Sequence, residues 1–484
     1  VTFDVRAFGA KGGDGATLDT DAINAAIQAA HGAGGDEVVL PAGRWLSFSI
    51  RLLSGVILRL DEGCVLEAAD PARHGGIYDA AEPNPYDLYQ DFGHSHWRNS
   101  LIWGDGVEDV AIVGPGTIDG LGMTREGPGS RWTRQAGEFP ASMANLSPEE
   151  MAILVPGLEA MAGQGNKAIA LKNARRVRLE GFTIRRGGHF AVLATGCDHL
   201  TIRDLTIDTN RDGLDIDCCR DVSITDCRVN TPNDDAIVLK SSLALGETRA
   251  TERVEIARCH VSGFDQGTLL DGTLGRTQQL APDQDRVTGR IKLGTESNGD
   301  FRHITIRDCT FTRSRGLALE TVDGGTIEDV TVRDIVMHEV TTAPLFLRLG
   351  DRGRGPDGTT RGAMRRISVR GLTAFDILPD YAATIAGLAD DPIQDVELKD
   401  IRLIYAGGGK AAWADRRPDD MAQAYPEPSM FGPTPAHGLW ARHVDGLILD
   451  NIRIETLEPD PRPPLLLQAV RRASLNGLDA LEEA

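Results

Sequence analysis

Residues 208–242 read DTNRDGLDIDCCRDVSITDCRVNTPNDDAIVLKSS, with eight aspartates in 35 positions. A run that acidic ordinarily marks a solvated surface or a disordered tail. Yet Leu214 and Ile216, Val222 and Ile224, and Ile237 and Leu239 keep an apolar beat of two through it. That is the period of a strand with one buried face.

The same beat recurs outward from this stretch. Apolar anchors fall at Val177, Leu200, Val222, Val254, Ile304, Val330, Ile367, Val396 and Leu447, and each is followed two residues later by another apolar residue. Four residues after the anchor stands Gly181, Asp204, Asp226, Asp308, Asp334, Gly371, Asp400 or Asn451, with Arg258 the one exception. Gly, Asp and Asn tolerate a left-handed backbone, so each unit reads as strand, corner, strand. The tightest anchor spacings, 23 and 22 residues, match one coil of a parallel β-helix, and longer ones imply loops inserted at corners. Cys227, Cys259 and Cys309 share one apolar column and read as stacked interior thiols.

The expected fold is therefore all-β: a single right-handed parallel β-helix over residues 1–484, with an N-terminal capping helix and long inserted loops. The cap region is expected over 1–50, the main coils over 100–455 and a C-terminal cap over 456–484. DTDAINAAIQAAHG predicts the capping helix, started by Asp19 or Thr20. Insertions at 121–166, with a Ser147-x-x-Glu150 capping box, and at 405–440, with Trp413, Tyr425, Phe431 and Trp440, are expected to build a binding face.

Composition removes several classes of partner. A formal net charge of −20 argues against nucleic acid or an anionic membrane surface. No apolar run is long enough for a transmembrane helix. Seven cysteines without a C-x-x-C pair outline neither a zinc site nor a disulfide framework. The opening VTFDVRAFGAKGG reads as a mature or trimmed start, and its glycines lack the Lys-Ser/Thr ending of a phosphate loop. A monomer in the periplasm or secreted is the expectation.

Not every aspartate belongs to the corner column. Aligning DGLDID (212–217) with DAIVLK (235–240) sets Leu214 beside Ile237, Ile216 beside Leu239 and Asp217 beside Lys240. Asp212 then lies one coil from Asp235, with Asp234 adjacent. Packing three carboxylates raises the pKa of at least one of them, a cost that acid–base chemistry uses. Bound Ca²⁺ is the main competing explanation.

At these residues the chain resembles the polygalacturonase family, glycoside hydrolase family 28. NRDG followed by NDDAIVLKS resembles its Asn-Thr-Asp and Gly-Asp-Asp motifs, and LGTESNG (293–299) resembles the Ile-Gly-Ser-Glu segment of bacterial members. SLIWG…GTIDG resembles the first-coil signature, and FDVRAFGAKGG the lead-in of pectin-acting β-helices; the likeness covers roughly residues 1–350. The resemblance implies an inverting hydrolase in which Asp234 protonates the leaving oxygen while Asp212 and Asp235 hold and deprotonate water. Carboxyls about 6.5–9.5 Å apart would suit that chemistry.

Asn210 matches the family Asn, whereas Arg211 replaces its Thr. Gly289 stands where the family His is expected, and Ala318 and Glu320 where its Arg and Lys are expected. A glutamate at that subsite would repel a uronate, which points towards rhamnogalacturonan-type chains. Arg290 and Lys292, one coil early, and Arg348 are alternative sources of positive charge. His189, one coil before Asp212, Lys240 and Glu296 complete the substrate-binding candidates. The resemblance implies a pectic poly- or oligosaccharide substrate and no cofactor or metal. Two other readings stay open: a β-helix polysaccharide lyase using Ca²⁺, and a non-catalytic carbohydrate-binding β-helix.

Overall fold

The computed structural model describes residues 1–90, 93–124, 139–154 and 161–482. The chain winds as a right-handed parallel β-helix, the hand that crossover connections between parallel strands adopt. Three sheets run along its length. In the first, Arg175–Glu180 pairs with Asp198–Arg203, which pairs with Arg220–Thr225 and then Thr251–Ala257, always in parallel. In the second, Thr183–Arg185, Thr206–Asp208 and Arg228–Asn230 stack in register. In the third, Lys167–Lys172, Phe190–Thr195, Asp212–Asp217, Ile237–Ser241, Ile291–Ser297 and Leu317–Thr321 follow one another.

Inside, equivalent residues form continuous columns. Ile184, Ile207, Val229, Val261 and Phe311 are all fully buried in one of them. Full burial of such a side chain contributes about 1.5–3 kcal/mol, and stacking repeats that gain coil after coil. Cys227, Cys259 and Cys309 are free, buried thiols within this interior.

The nine corner residues have positive φ without exception, from 52° at Arg258 to 86° at Gly181. Arg258 thus takes the left-handed corner although its residue type gives no sign of it. A second left-handed column lies one residue before the anchors: Arg176, His199, Asp221, Arg253, His303, Asp329, Arg366, Asp395 and Gly446. Pairing skips these positions on both strands alike, so the register stays one-to-one across them. Their side chains bridge adjacent coils, as Arg253 to Asp221 at 2.7 Å and Arg366 to Asp329 at 2.7 Å do.

The helix Thr20–Gly32 buries Ile23, Ala26, Ile27 and Ala30 against the first coil. Neither expected cap closes it by side chain. The Asp19 carboxylate accepts the amides of Lys11 and Gly12 at 2.7 and 3.2 Å, and Thr20 Oγ1 accepts the amide of Phe48 at 2.9 Å. The Ser147–Glu150 capping box does form, with amide-to-side-chain bonds of 2.8 and 3.2 Å.

The coils extend beyond 100–455 at both ends. Glu37–Leu40 and Gly43–Ser47 already pair with Ile57–Leu60 and Cys64–Ala68. At the other end, Leu465–Glu482 pairs in register with Leu439–Thr456, so the expected C-terminal cap is instead a further coil. Among the described residues no helix is long and apolar enough to cross a membrane.

The corner account makes a direct prediction. Asp204, with φ 54°, should tolerate Asp204→Gly with little change, whereas Asp204→Val should cost about 1–2 kcal/mol. Thermal unfolding of both variants checks this, and equal midpoints would contradict a left-handed corner.

Candidate active site

The third sheet carries the acids on its outer side. Asp212 opens the strand Asp212–Asp217, and the turn 231–235 brings Asp234 and Asp235 to the same height one coil later. That turn is pinned: Thr231 Oγ1 donates to the Asp234 carbonyl at 2.8 Å, and the Gly213 amide donates to the Asp235 carbonyl at 3.0 Å. Oxygens of Asp212 and Asp234 and a ring nitrogen of His189 all lie within 4.8 Å of one another. Asp212 and Asp234 thus approach each other closely, and Asp235 adds a third carboxylate from the same turn.

A cavity of about 880 Å³, its open mouth included, covers this cluster. Phe139, Pro140 and Met143 wall it from the 121–166 insertion, and Tyr425 and Glu427 from the 405–440 insertion. His189, Asp212, Asp234, Asp235, Lys240, Arg290, Lys292 and Glu296 all line it, as expected. Three expected binding residues do not. Asn210 donates to Gln266 Oε1 at 3.2 Å instead. Glu320 lies fully buried beneath Lys292, 3.9 Å from its Nζ. Arg348 is buried under the 405–440 insertion, where it donates to the carbonyls of Asp420 and Met421 at 2.6 and 3.1 Å.

The site contains residues that the sequence reading missed. His94 Nε2 lies 3.1 Å from Asp215 Oδ2 and touches Lys240 Nζ. Lys240 Nζ is 3.2 Å from Asp215 and 3.3 Å from Glu296. Arg290 Nε donates to Asp235 at 2.7 Å while its other nitrogens clamp Glu427 at 2.9 and 2.6 Å. Arg315 reaches Glu427 at 3.1 Å and Asp283 at 2.8 Å. The backbone explains the missing family histidine: any Cβ at Gly289, where φ is 51°, would lie 2.2 Å from the Ser262 carbonyl. His94 and His189 supply the imidazoles from other positions.

These contacts separate the carboxyls electrostatically. Burial and the adjacent Asp234 charge push Asp212 well above the ordinary carboxylate range. Burial would raise Asp235 too, but Lys292 and Arg290 overcome it and hold the group ionised. Glu296 is likewise kept low against burial by Lys240 and His94. Asp212 therefore holds its proton while Asp235 stays charged.

Among the described residues two groups of donors could hold a cation: His189, Asp212 and Asp234, and His94, Asp212 and Asp215. Each contributes an imidazole, which a hard, oxygen-seeking Ca²⁺ does not favour. The Lys240 ammonium already serves Asp215 in the second group.

The eight aspartates of 208–242 now have separate duties. Asp226 is a corner paired with Arg258, and Asp221 belongs to the second left-handed column, paired with Arg253. Asp208 accepts the amides of Gly267, Leu269 and Leu270, anchoring an insertion. Asp217 accepts the Ser242 amide at 2.8 Å, Asp215 holds Lys240, and the other three face the cavity.

Comparison with known proteins agrees with the architecture. The family described as right handed beta helix region matches residues 159–273. A probable polygalacturonase of Vitis vinifera is 24% identical over 422 residues, 82% of this chain and 73% of that protein. An exopolygalacturonase from Thermotoga maritima superimposes with a TM-score of 0.63 at 19% identity, covering 94% of this chain and 91% of that one. A family 28 exopolygalacturonase of Yersinia enterocolitica gives 0.60 at 16% identity, covering 100% and 78%.

Burial raises Glu320 to about 7, with Lys292 and Arg290 opposing it. A carboxyl with a raised folded pKa holds its proton more tightly folded than unfolded. Its stabilisation is present below its ordinary value of 4.5 and is lost as pH rises to about 7. The loss amounts to about 3 kcal/mol. Denaturant unfolding across this window should show Glu320→Gln losing less stability than the parent protein; parallel pH profiles would contradict the shift.

Proposed function

We propose that this chain is an inverting glycoside hydrolase that cleaves pectic oligosaccharides from a chain end. The observation that carries the reading is the convergence of Asp212, Asp234 and Asp235 in one cavity, with Asp212 held protonated and Asp235 kept ionised. The names of the similar proteins, polygalacturonase and exopolygalacturonase, support a pectic substrate.

In the proposed reaction Asp234, the partly exposed member, passes a proton from Asp212 to the glycosidic oxygen as the C1–O bond breaks. Passing that proton through Asp234 leaves Asp212 anionic. Asp212 and Asp235 then hold a water that adds to C1 from the opposite face, and Asp212 takes its proton. The products are a free reducing sugar of inverted configuration and a shortened chain. The walls from the two insertions favour a closed end over an open groove. A pectic substrate supports a location in the periplasm or outside the cell, and the protein is proposed to act as a monomer.

The lyase reading requires Ca²⁺ and an uncompensated base. Both donor groups carry an imidazole, and each Arg and Lys on the described wall has a carboxylate partner within 4.0 Å. Both facts favour hydrolysis.

Asp234→Asn should lower turnover by about 10²–10⁴-fold with oligosaccharide binding retained. Proton NMR of the first product should show the inverted anomer; ultraviolet-absorbing unsaturated products would favour the lyase instead. Because the working form keeps its proton on Asp212, kcat/KM should fall as pH rises through a pKa above the ordinary carboxylate range. A profile flat from acid to alkaline pH would contradict the protonated Asp212.

A further inference from the structure

The cavity wall has an unusual charge balance. Six carboxyls (Asp212, Asp234, Asp235, Asp283, Glu296, Glu427) face five cationic groups (Arg211, Lys240, Arg290, Lys292, Arg315). Asp215 and Glu320 add two more carboxyls buried behind them. Arg290 and Arg315, 1% and 3% exposed, form the kind of paired guanidinium clamp that binds a carboxylate in two-pronged fashion. Its carboxylate is already supplied. Glu427, 2% exposed, bonds both arginines from the 405–440 insertion. Ser429, two residues on, donates to Asp285 at 2.6 Å and braces that insertion against the far wall.

We propose that the glycosyl unit seated against this wall is uncharged, either a neutral sugar or a uronate carried as its ester, with Glu427 occupying the place that a free uronate carboxylate would take. The inference rests on the hydrolase reading and narrows its substrate. A free uronate would have to displace Glu427 or sit uncompensated beside Glu427 and Asp235, and like charges so juxtaposed are costly. The apolar wall offers a complementary surface: Phe139, Pro140, Met143 and Pro282 suit a sugar C–H face, a deoxy methyl group or an ester methyl.

The test compares three oligosaccharide sets on the full chain, ending in free galacturonate, in its methyl ester or in rhamnose. At least one uncharged terminus should give a kcat/KM about tenfold or more above free galacturonate. The ester and rhamnose arms then identify which uncharged unit is taken. Glu427→Gln, which frees both arginines, should raise the ratio of kcat/KM on free galacturonate to that on the uncharged substrate about tenfold. Calorimetric binding of galacturonate and its methyl ester to the unaltered protein gives a readout independent of that variant's folding, and the ester should bind more tightly. Preference for free galacturonate in either measurement overturns the inference while leaving hydrolysis intact. Hydrolysis of no member of the panel would instead defeat the hydrolase reading, and the binding comparison would still decide the charge of the unit.

Discussion

Parallel strand register is the interaction on which the rest depends. Hydrogen bonding between neighbouring coils holds equivalent residues about 4.8 Å apart, whatever the length of chain between them. Leu214 is bonded beside Ile237 and Ile216 beside Leu239, so Asp212 and Asp235 must lie one coil apart. Buried apolar columns on the inner side make that register costly to slip, because a one-residue shift would turn Ile216 outward and Asp215 inward. The catalytic candidates are therefore positioned by the core and not by their own attraction, which is repulsive.

That repulsion is balanced locally. Asp235 is neutralised by Arg290 and Lys292 from the following coil, and Asp215 by Lys240, while Asp212 keeps a proton. Buried ion pairs of this kind add little net stability, yet removing one partner typically costs about 3–5 kcal/mol. The network thus trades stability for a protonated Asp212 beside an ionised Asp235 at one place.

Much of the fold could be read from the sequence because its constraints act on residue type. Interior columns demand apolar side chains, and the corner demands a left-handed backbone that Asp, Asn and Gly accept readily. The second left-handed column was invisible, since Arg, His and Asp occupy it and their exposed side chains carry no shared property. The C-terminal coil was missed because Leu465–Glu482 continues the pairing where a cap was expected. The site divides the same way. Asp212, Asp234 and Asp235 follow from register alone. His94 and Glu427 come from insertions with no period, so no spacing argument reaches them. Gly289 marked a departure in the sequence, and only the closeness of Ser262 shows why no side chain fits there.

A crystal structure of the Asp234→Asn variant with a pectic oligosaccharide would test the central claim most directly. The account predicts a glycosidic oxygen within hydrogen-bond reach of position 234 and a water between Asp212 and Asp235, aligned on the opposite face of the anomeric carbon. A divalent cation bound by His189 and Asp212, or a sugar lying outside this cavity, would contradict it.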